Sequence, residues 1–202
     1  MHTTIREFVA ASGLAAAIAV SPVWAQAPTA TRLIGTIERI DGATLVVKTA
    51  VSERQVSVAA NTPVFGLVKA SLADVKPGVF VGVGATPQPD GSQRAIRVII
   101  FTESMRGLGE GHRPWDRPGT TMTNATVDTA VSAVAGQVVT VKYKGGEKNI
   151  VIGPDAAIMT YVVGDKSELR RGANVVITGT VKDGGAFEAS RIVVGRGGIT
   201  PT

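Results

Sequence analysis

The sequence predicts an all-β protein: two tandem, small OB-like five-stranded β-barrels, formed by a duplicated unit that follows a signal peptide. Three observations predict this fold. Short runs rich in Val, Ile and Thr alternate between apolar and polar residues, and Gly or Pro turns separate them. These runs recur in the same order about 94 residues later. A Gly/Pro-rich connector, residues 102–122, separates the two sets of runs.

The first 25 residues have the composition of a secretory signal peptide. Arg6 precedes an apolar, alanine-rich run at residues 8–20, which is shorter than the roughly 20 residues that span a membrane. Small or aliphatic residues favour cleavage after Ala25, and Ala27 is the alternative. We therefore predict export to the periplasm by residues 1–25 and a mature chain without a membrane span. A retained N-terminal anchor is the alternative interpretation.

The first predicted unit covers residues 32–101. An Asp-Gly turn between the first two runs indicates a hairpin, because glycine accepts the positive φ that such turns require. A helical insert is predicted at Leu67–Val75, and a split β-sandwich is the alternative to a barrel. The five predicted strands are Arg32–Ile40, Thr44–Thr49, Gln55–Ala59, Val79–Gly84 and Arg94–Phe101.

The second predicted unit, residues 123–195, repeats this order and is followed by a tail at residues 196–202. Ala95, Arg97 and Val98 match Ala189, Arg191 and Ile192 at a spacing of 94 residues, which indicates duplication. A helical insert is predicted at Asp165–Arg171, and the last hairpin turns at Asp183-Gly184-Gly185. The five predicted strands are Asn124–Val131, Gln137–Lys144, Glu147–Ile152, Ala173–Val181 and Ala186–Val194.

Composition narrows the classes of function. The chain has no cysteine, which excludes disulfides, thiolate catalysis and thiolate metal ligands. Its formal net charge is +5, but the Lys and Arg residues are scattered along the sequence without interleaved aromatic residues. That distribution is not typical of a nucleic-acid-binding protein. The expected partner is an unknown envelope protein or polysaccharide, and no nucleic acid is expected.

Several motifs resemble an exported bacterial family of small β domains of unknown function (DUF5666-like). They are G-x-I-x-x-I-D-G-x-x-L at Gly35–Leu45, S-L-A-D-V-K-P-G at Ser71–Gly78 and D-G-x-x-x-A-x-R-V at Asp90–Val98. The connector motif R-G-x-G-E-G-x-R-P-W-D at Arg106–Asp116 is similar to a two-domain proteobacterial subgroup. The resemblance implies no established activity or cofactor. Some members carry labels that mention a metal transporter permease, which this sequence without permease segments does not fit.

The connector contains the candidate metal ligands Glu110, His112 and Asp116. A carboxylate, an imidazole and a second carboxylate suit a borderline divalent cation. A closed zinc site normally has four protein ligands, and one histidine provides few of them. The alternative is that the acidic residues pair with neighbouring arginines while His112 faces solvent. A divalent metal is therefore a candidate cofactor, and no other cofactor is predicted.

No catalytic residues are predicted. His112 is the only histidine beyond the leader, and the sequence contains no G-x-S-x-G nucleophile motif. The connector also contains Trp115, which we predict to act with Arg113 as an anchor between the two barrels. The predicted function is a non-enzymatic binding or structural role. A metal-binding or transport accessory protein is one alternative, and a hydrolase that acts on an envelope polymer is the other.

Overall fold

The computed structural model describes residues 30–133, 136–182 and 185–201. Within them the fold is all-β, with thirteen strands and three short 3-10 helices, at Leu72–Asp74, Glu103–Met105 and Lys166–Glu168. The predicted signal peptide, residues 1–25, and the Asp183-Gly184 turn lie outside the described residues. None of the helices in the described ranges is long and apolar enough to cross a membrane.

The strands are numbered in chain order. They are β1 Thr31–Asp41, β2 Thr44–Lys48, β3 Glu53–Val58, β4 Val64–Lys69, β5 Phe80–Pro87, β6 Gln93–Ile100, β7 Gly111–Pro114, β8 Thr121–Ala133, β9 Gly136–Tyr143, β10 Gly146–Ile152, β11 Ala157–Val163, β12 Asn174–Val181 and β13 Phe187–Gly195. Each of the ten predicted strands overlaps one of these, and β4, β7 and β11 are additional.

The predicted helical insert at Leu67–Val75 is wrong in its first part. Strand β4 continues to Lys69, and only Leu72–Asp74 forms a turn of 3-10 helix. The first four residues of β4 are all buried. A strand that is covered on both faces has a continuous apolar run instead of an alternating one, and such a run resembles a buried helix in sequence.

All thirteen strands among the described residues belong to one sheet. Its main order is β10-β9-β8-β5-β6-β11-β4-β13-β12-β1-β2-β3, and β7 pairs with the first part of β8. Two additional parallel pairings, β6 with β10 and β3 with β13, close each half of the sheet on itself. The sheet therefore contains two closed circuits of strands, joined through β4 and β11.

Each circuit draws strands from both halves of the sequence. The first ring consists of β1, β2, β3, β12 and β13, and the second ring of β5, β6, β8, β9 and β10. Neither ring coincides with residues 32–101 or 123–195, the ranges predicted for the two units. The reason is that β4 and β11 lie between the rings and pair with each other, so each carries the chain out of one ring towards the other.

The rings are uneven in their closure. Strands β3 and β13 share three residue pairs and β6 and β10 share two, whereas β8 and β9 share seven. Ladders of two or three pairs contain few inter-strand hydrogen bonds. Each ring is therefore held mainly by its antiparallel pairs.

The strand registers of the two rings correspond residue by residue. Gln93 of β6 pairs with Ile150 of β10, and Phe187, 94 residues after Gln93, pairs with Val56, 94 residues before Ile150. The bulge at Gly84 in the β5–β6 pair recurs at Thr178–Gly179 in the β12–β13 pair. In the same way, the bulge in the β1–β2 pair corresponds to the bulge in the β8–β9 pair. Strand pairing therefore follows the same pattern in both rings.

Three clusters of buried side chains form the core. The first fills the first ring with residues from both halves of the chain, including Ile37, Val47, Val56, Ile177 and Ile192. The second fills the second ring in the same way, including Val83, Val98, Val141, Ile150 and Ile152. A third, smaller cluster around β4 and β11 includes Phe65, Leu67, Met105, Met159 and Val193. Burial of each such side chain contributes roughly 1.5–3 kcal/mol.

Candidate functional site

The seam between the two rings contains a concentration of positive charge. We call this group the arginine cluster: Arg32, Arg97, Arg117 and Arg191. The charges of three of its members, Arg191, Arg32 and Arg97, act on the side chain of Tyr161. Arg97 and Arg191 are half-buried, whereas Arg32 and Arg117 are exposed.

Arg97 and Arg191 lie on the two strands that flank β11 and β4. Arg97 lies on β6 and Arg191 lies 94 residues later on β13, so they occupy equivalent positions in the two rings. Between them run β11 and β4, whose antiparallel pairing centres on Tyr161 opposite Leu67. Arg97 pairs with Ala157, four residues before Tyr161, and Arg191 precedes Ile192, which pairs with Val64 of β4. The two arginines therefore lie on opposite sides of the Tyr161–Leu67 pair.

Arg32 of β1 and Arg191 of β13 lie on either side of the same β12 residue. Thr178 of β12 pairs with Arg32 on one side and with Arg191 on the other. The Nη2 of Arg191 donates a hydrogen bond to Thr178 Oγ1 at 3.2 Å. This contact helps to fix the orientation of the Arg191 guanidinium group.

Trp115 covers the second-ring side of the seam. Its backbone N–H donates to the carbonyl of Thr120 at 3.0 Å, which closes the connector into a turn. A Cβ atom added to Gly84 of β5 would lie 2.4 Å from the indole ring, so glycine at this position makes room for it. The guanidinium carbons of Arg97 and Arg117 lie 5.9 and 6.0 Å from the ring centre. Cation–π contacts at these distances are attractive and hold both arginines near the ring.

Burial and neighbouring charges shift the pKa values of three groups at the seam, Arg97, Arg191 and Tyr161. Burial, together with the nearby positive charges of Arg117 and Arg32, lowers the pKa of Arg97, and burial and Arg32 lower that of Arg191. Burial raises the pKa of Tyr161 despite the opposing effect of the arginines, so its hydroxyl stays protonated at neutral pH and can donate a hydrogen bond. Asp116 Oδ2 lies 3.8 Å from Arg32 Nη1 and is 72% exposed. A pair this exposed contributes little to stability.

The candidate metal ligands have separate protein partners. Glu110 Oε1 accepts a hydrogen bond from the backbone N–H of Lys144 at 2.9 Å. His112 Nδ1 lies 2.8 Å from Thr123 Oγ1, and its ring stacks on Tyr143. Burial and the charge of Lys148 lower the pKa of His112.

Asp116 faces Arg32 in the arginine cluster instead. In the described ranges, no three His, Cys, Asp or Glu side chains lie close enough together to hold a metal ion. A divalent-metal site at Glu110, His112 and Asp116 stays a prediction.

The two residues predicted as the anchor differ in their placement. Trp115 lies against Gly84 of β5 and beside Arg97 of β6. These contacts join the connector to the second ring, as an anchor would. The exposed Arg113 instead donates from Nη1 to the carbonyl of Gly109 at 2.8 Å, a contact within the connector. The anchoring role of either residue stays a prediction.

Sequence reasoning missed the arginine cluster and Tyr161. The signal was present in part, because Arg97 and Arg191 stand at matched positions of the 94-residue repeat. Their placement on either side of β11 and β4 depends on the exchange of strands between the rings, which the spacing does not reveal. Arg32 and Arg117 lie far from both in sequence.

Comparison with protein-family models gives no match, and comparisons with curated proteins and with solved structures find no significant similarity.

Proposed function

We propose that the protein is an exported, periplasmic and non-enzymatic binding protein. Its two rings are OB-like five-stranded barrels that arose by duplication, and its ligand binds in the seam between them. One observation carries the proposal, namely that both rings contribute to the arginine cluster from equivalent positions, Arg97 and Arg191.

The composition of residues 1–25 supports export, and the repeated strand register supports duplication. Two rings of five strands, each closed around its own buried cluster, are compatible with small, partly open barrels. An unknown envelope protein or polysaccharide is the partner that this location suggests.

The chemistry of the cluster favours binding over catalysis. Arginine side chains keep their protons under physiological conditions, and the raised pKa of Tyr161 keeps its hydroxyl protonated too. A general acid or base must exchange a proton with its substrate near the operating pH. Groups with fixed protonation instead recognise a ligand through charge and hydrogen bonds.

A thermal-shift screen of the mature chain, beginning at Gln26, tests this function. The panel contains neutral and acidic oligosaccharides, short peptides, and zinc, copper and nickel ions. At least one saccharide or peptide class is expected to raise the melting temperature in a saturable way and to be recovered intact by mass spectrometry. A ligand at one hundred times its Kd adds about 2.7 kcal/mol to the free energy of unfolding. Cleavage of the ligand, or stabilisation by metal ions alone, would contradict the proposal.

A further inference from the structure

We propose that the outer edge of β1, at residues 32–34, accepts an extended acidic peptide segment of a partner protein as an additional antiparallel strand. The inference concerns the rim of the first ring and does not depend on the ligand proposed for the seam. It follows from a comparison of the two rings, because the second ring holds a strand at the equivalent edge.

The strand that supplies the comparison is β7. Strands β1 and β8 are equivalent, since both have a bulge, after Ile37 in β1 and 90 residues later, after Val127, in β8. The first part of β8 pairs with β5 on one side and with β7 on the other. The first part of β1 pairs with β12 on one side, and no strand of the described residues pairs with its other side. Within these residues, the place that β7 fills in the second ring is therefore open in the first.

The open edge presents backbone hydrogen-bonding groups. Ile37 donates its N–H to the carbonyl of Ala173 and accepts from the N–H of Gly172, so its backbone faces the β12 side. Alternate residues of a strand direct their backbone groups to the same edge, which turns the N–H and C=O of Arg32 and Ile34 to the open side. An edge of this kind can template the addition of a further strand.

The groove beside this edge is largely apolar and exposed. Ile34 is 40% exposed, whereas its equivalent Asn124 is 7% exposed and donates from Nδ2 to the carbonyl of Leu108 at 2.9 Å. Val51 and Val181, which are 92% and 53% exposed, line the same groove as Ile34, which has a volume of about 350 Å³. A strand laid along β1 would remove this apolar surface from water, which favours binding.

The charge of the groove favours an acidic occupant. Among the described residues that line it, Arg32 and Arg54 are the charged ones, and both are exposed. In the second ring, Glu110 stands directly before β7 and accepts a hydrogen bond from the backbone N–H of Lys144 in the turn after β9. The equivalent turn after β2 lines the groove. Acidic side chains on a docked strand would therefore meet two guanidinium groups and a turn that takes a carboxylate in the other ring.

The test uses the mature chain, which begins at Gln26, and a fluorescein-labelled peptide with the sequence Glu-Val-Glu-Val-Glu-Val. Fluorescence anisotropy measures its affinity. A control peptide with lysine in place of each glutamate should bind at least tenfold more weakly, because its charge is reversed. Two further peptides keep all side chains but carry N-methyl groups on the glutamate amides or on the valine amides. Only the set that faces β1 forms backbone hydrogen bonds, so one methylated peptide should lose about tenfold or more in affinity and the other should not.

Ile34→Pro and Arg54→Glu are the test variants. Proline is tolerated where the N–H faces away from the neighbouring strand, so Ile34→Pro removes the outward donor and should weaken binding at least tenfold. Ile34→Val keeps the donor and should bind like the wild type. Arg54→Glu should weaken the acidic peptide by about tenfold and strengthen the lysine peptide. Arg171→Glu makes the same charge change in the turn before β12 and should do neither.

Amide hydrogen exchange measured by NMR locates the bound peptide. Binding should slow exchange at Arg32 and Ile34, whose amides face outward, and leave Leu33, whose amide faces β12, unchanged. This alternation distinguishes an added strand from a peptide held by charge alone.

Four results would overturn this inference. They are no slowing at Arg32 and Ile34, equal affinity for the lysine peptide, equal affinity of both methylated peptides, or wild-type affinity in both Ile34→Pro and Arg54→Glu. Slow exchange at Ile34 in the free chain would also contradict an acidic partner. If it depends on protein concentration, a second copy occupies the edge, and if it does not, residues 26–29 of the same chain do.

Discussion

Replacement of Ile192 by alanine is expected to lower the free energy of unfolding by about 2–5 kcal/mol, the usual cost of truncating a large buried aliphatic side chain. Ile192 lies on β13 with none of its surface exposed, inside the first ring. Truncation removes apolar contacts and leaves a cavity among neighbours that belong to both halves of the sequence. Urea unfolding followed by circular dichroism measures the loss.

The location of the damage is as informative as its size. Because the first ring contains β1, β2 and β3, amide exchange in Thr44–Lys48 and Glu53–Val58 should rise more than exchange in β9 and β10. Val98→Ala is the matched control. It lies 94 residues earlier, fully buried in the second ring, and should reverse the pattern. Val163→Ala, at a residue that is 77% exposed, should cost under about 1 kcal/mol. Faster exchange in β9 and β10 after Ile192→Ala would contradict the observed grouping of strands.

Trp115→Ala is expected to release the connector. The substitution removes the indole ring from Gly84 and ends its contacts with Arg97 and Arg117. Loss of a half-buried aromatic side chain with two cation–π contacts costs about 1–3 kcal/mol. Local opening should then be roughly tenfold more frequent, since 1.4 kcal/mol corresponds to a factor of ten. Limited proteolysis with a nonspecific protease, with cuts in residues 107–121 mapped by mass spectrometry, measures this opening.

Two further variants define the cause of this release. Trp115→Phe keeps an aromatic ring and should be cleaved at a rate between those of the wild type and the alanine variant. Gly84→Ala leaves Trp115 unchanged but introduces a Cβ atom 2.4 Å from its ring, so it should also free the connector. Cleavage at the wild-type rate in both Trp115→Ala and Gly84→Ala would show that the indole ring does not anchor this segment.

The secondary structure of this chain is largely readable from its sequence. Alternation in QVSV at residues 55–58 and the Asp41-Gly42 turn identify β3 and the β1–β2 hairpin, because burial of one face imposes a period of two. The strands β4 and β11 were missed for a physical reason. The first four residues of β4 are all buried, so its apolar run is continuous instead of alternating. In β11 only Met159 is buried, so no alternation of buried and exposed residues marks it as a strand.

The arrangement of strands and the arginine cluster could not be predicted in this way. Alternation identifies the buried face of a strand, but it does not say which strand lies beside it. In a repeated sequence, Val56 of β3 could pair with Gln93 of β6 or with its equivalent Phe187 of β13, since both have the same local pattern. The structure pairs Val56 with Phe187. That choice also places Arg191 in the ring with β1, so Arg97 and Arg191, whose charges both act on Tyr161, belong to different rings.

A pair of engineered disulfides tests the exchange of strands most directly, in a chain that has no cysteine of its own. Ser57 and Glu188 are paired, exposed residues of β3 and β13. Ser57→Cys/Glu188→Cys is expected to form a disulfide on mild oxidation, because paired strands hold Cα atoms within the distance that a disulfide spans. Two barrels folded from consecutive halves would instead place Ser57 beside Arg94, the residue 94 positions before Glu188. A disulfide in Ser57→Cys/Arg94→Cys, together with none in Ser57→Cys/Glu188→Cys, would contradict the exchange of strands.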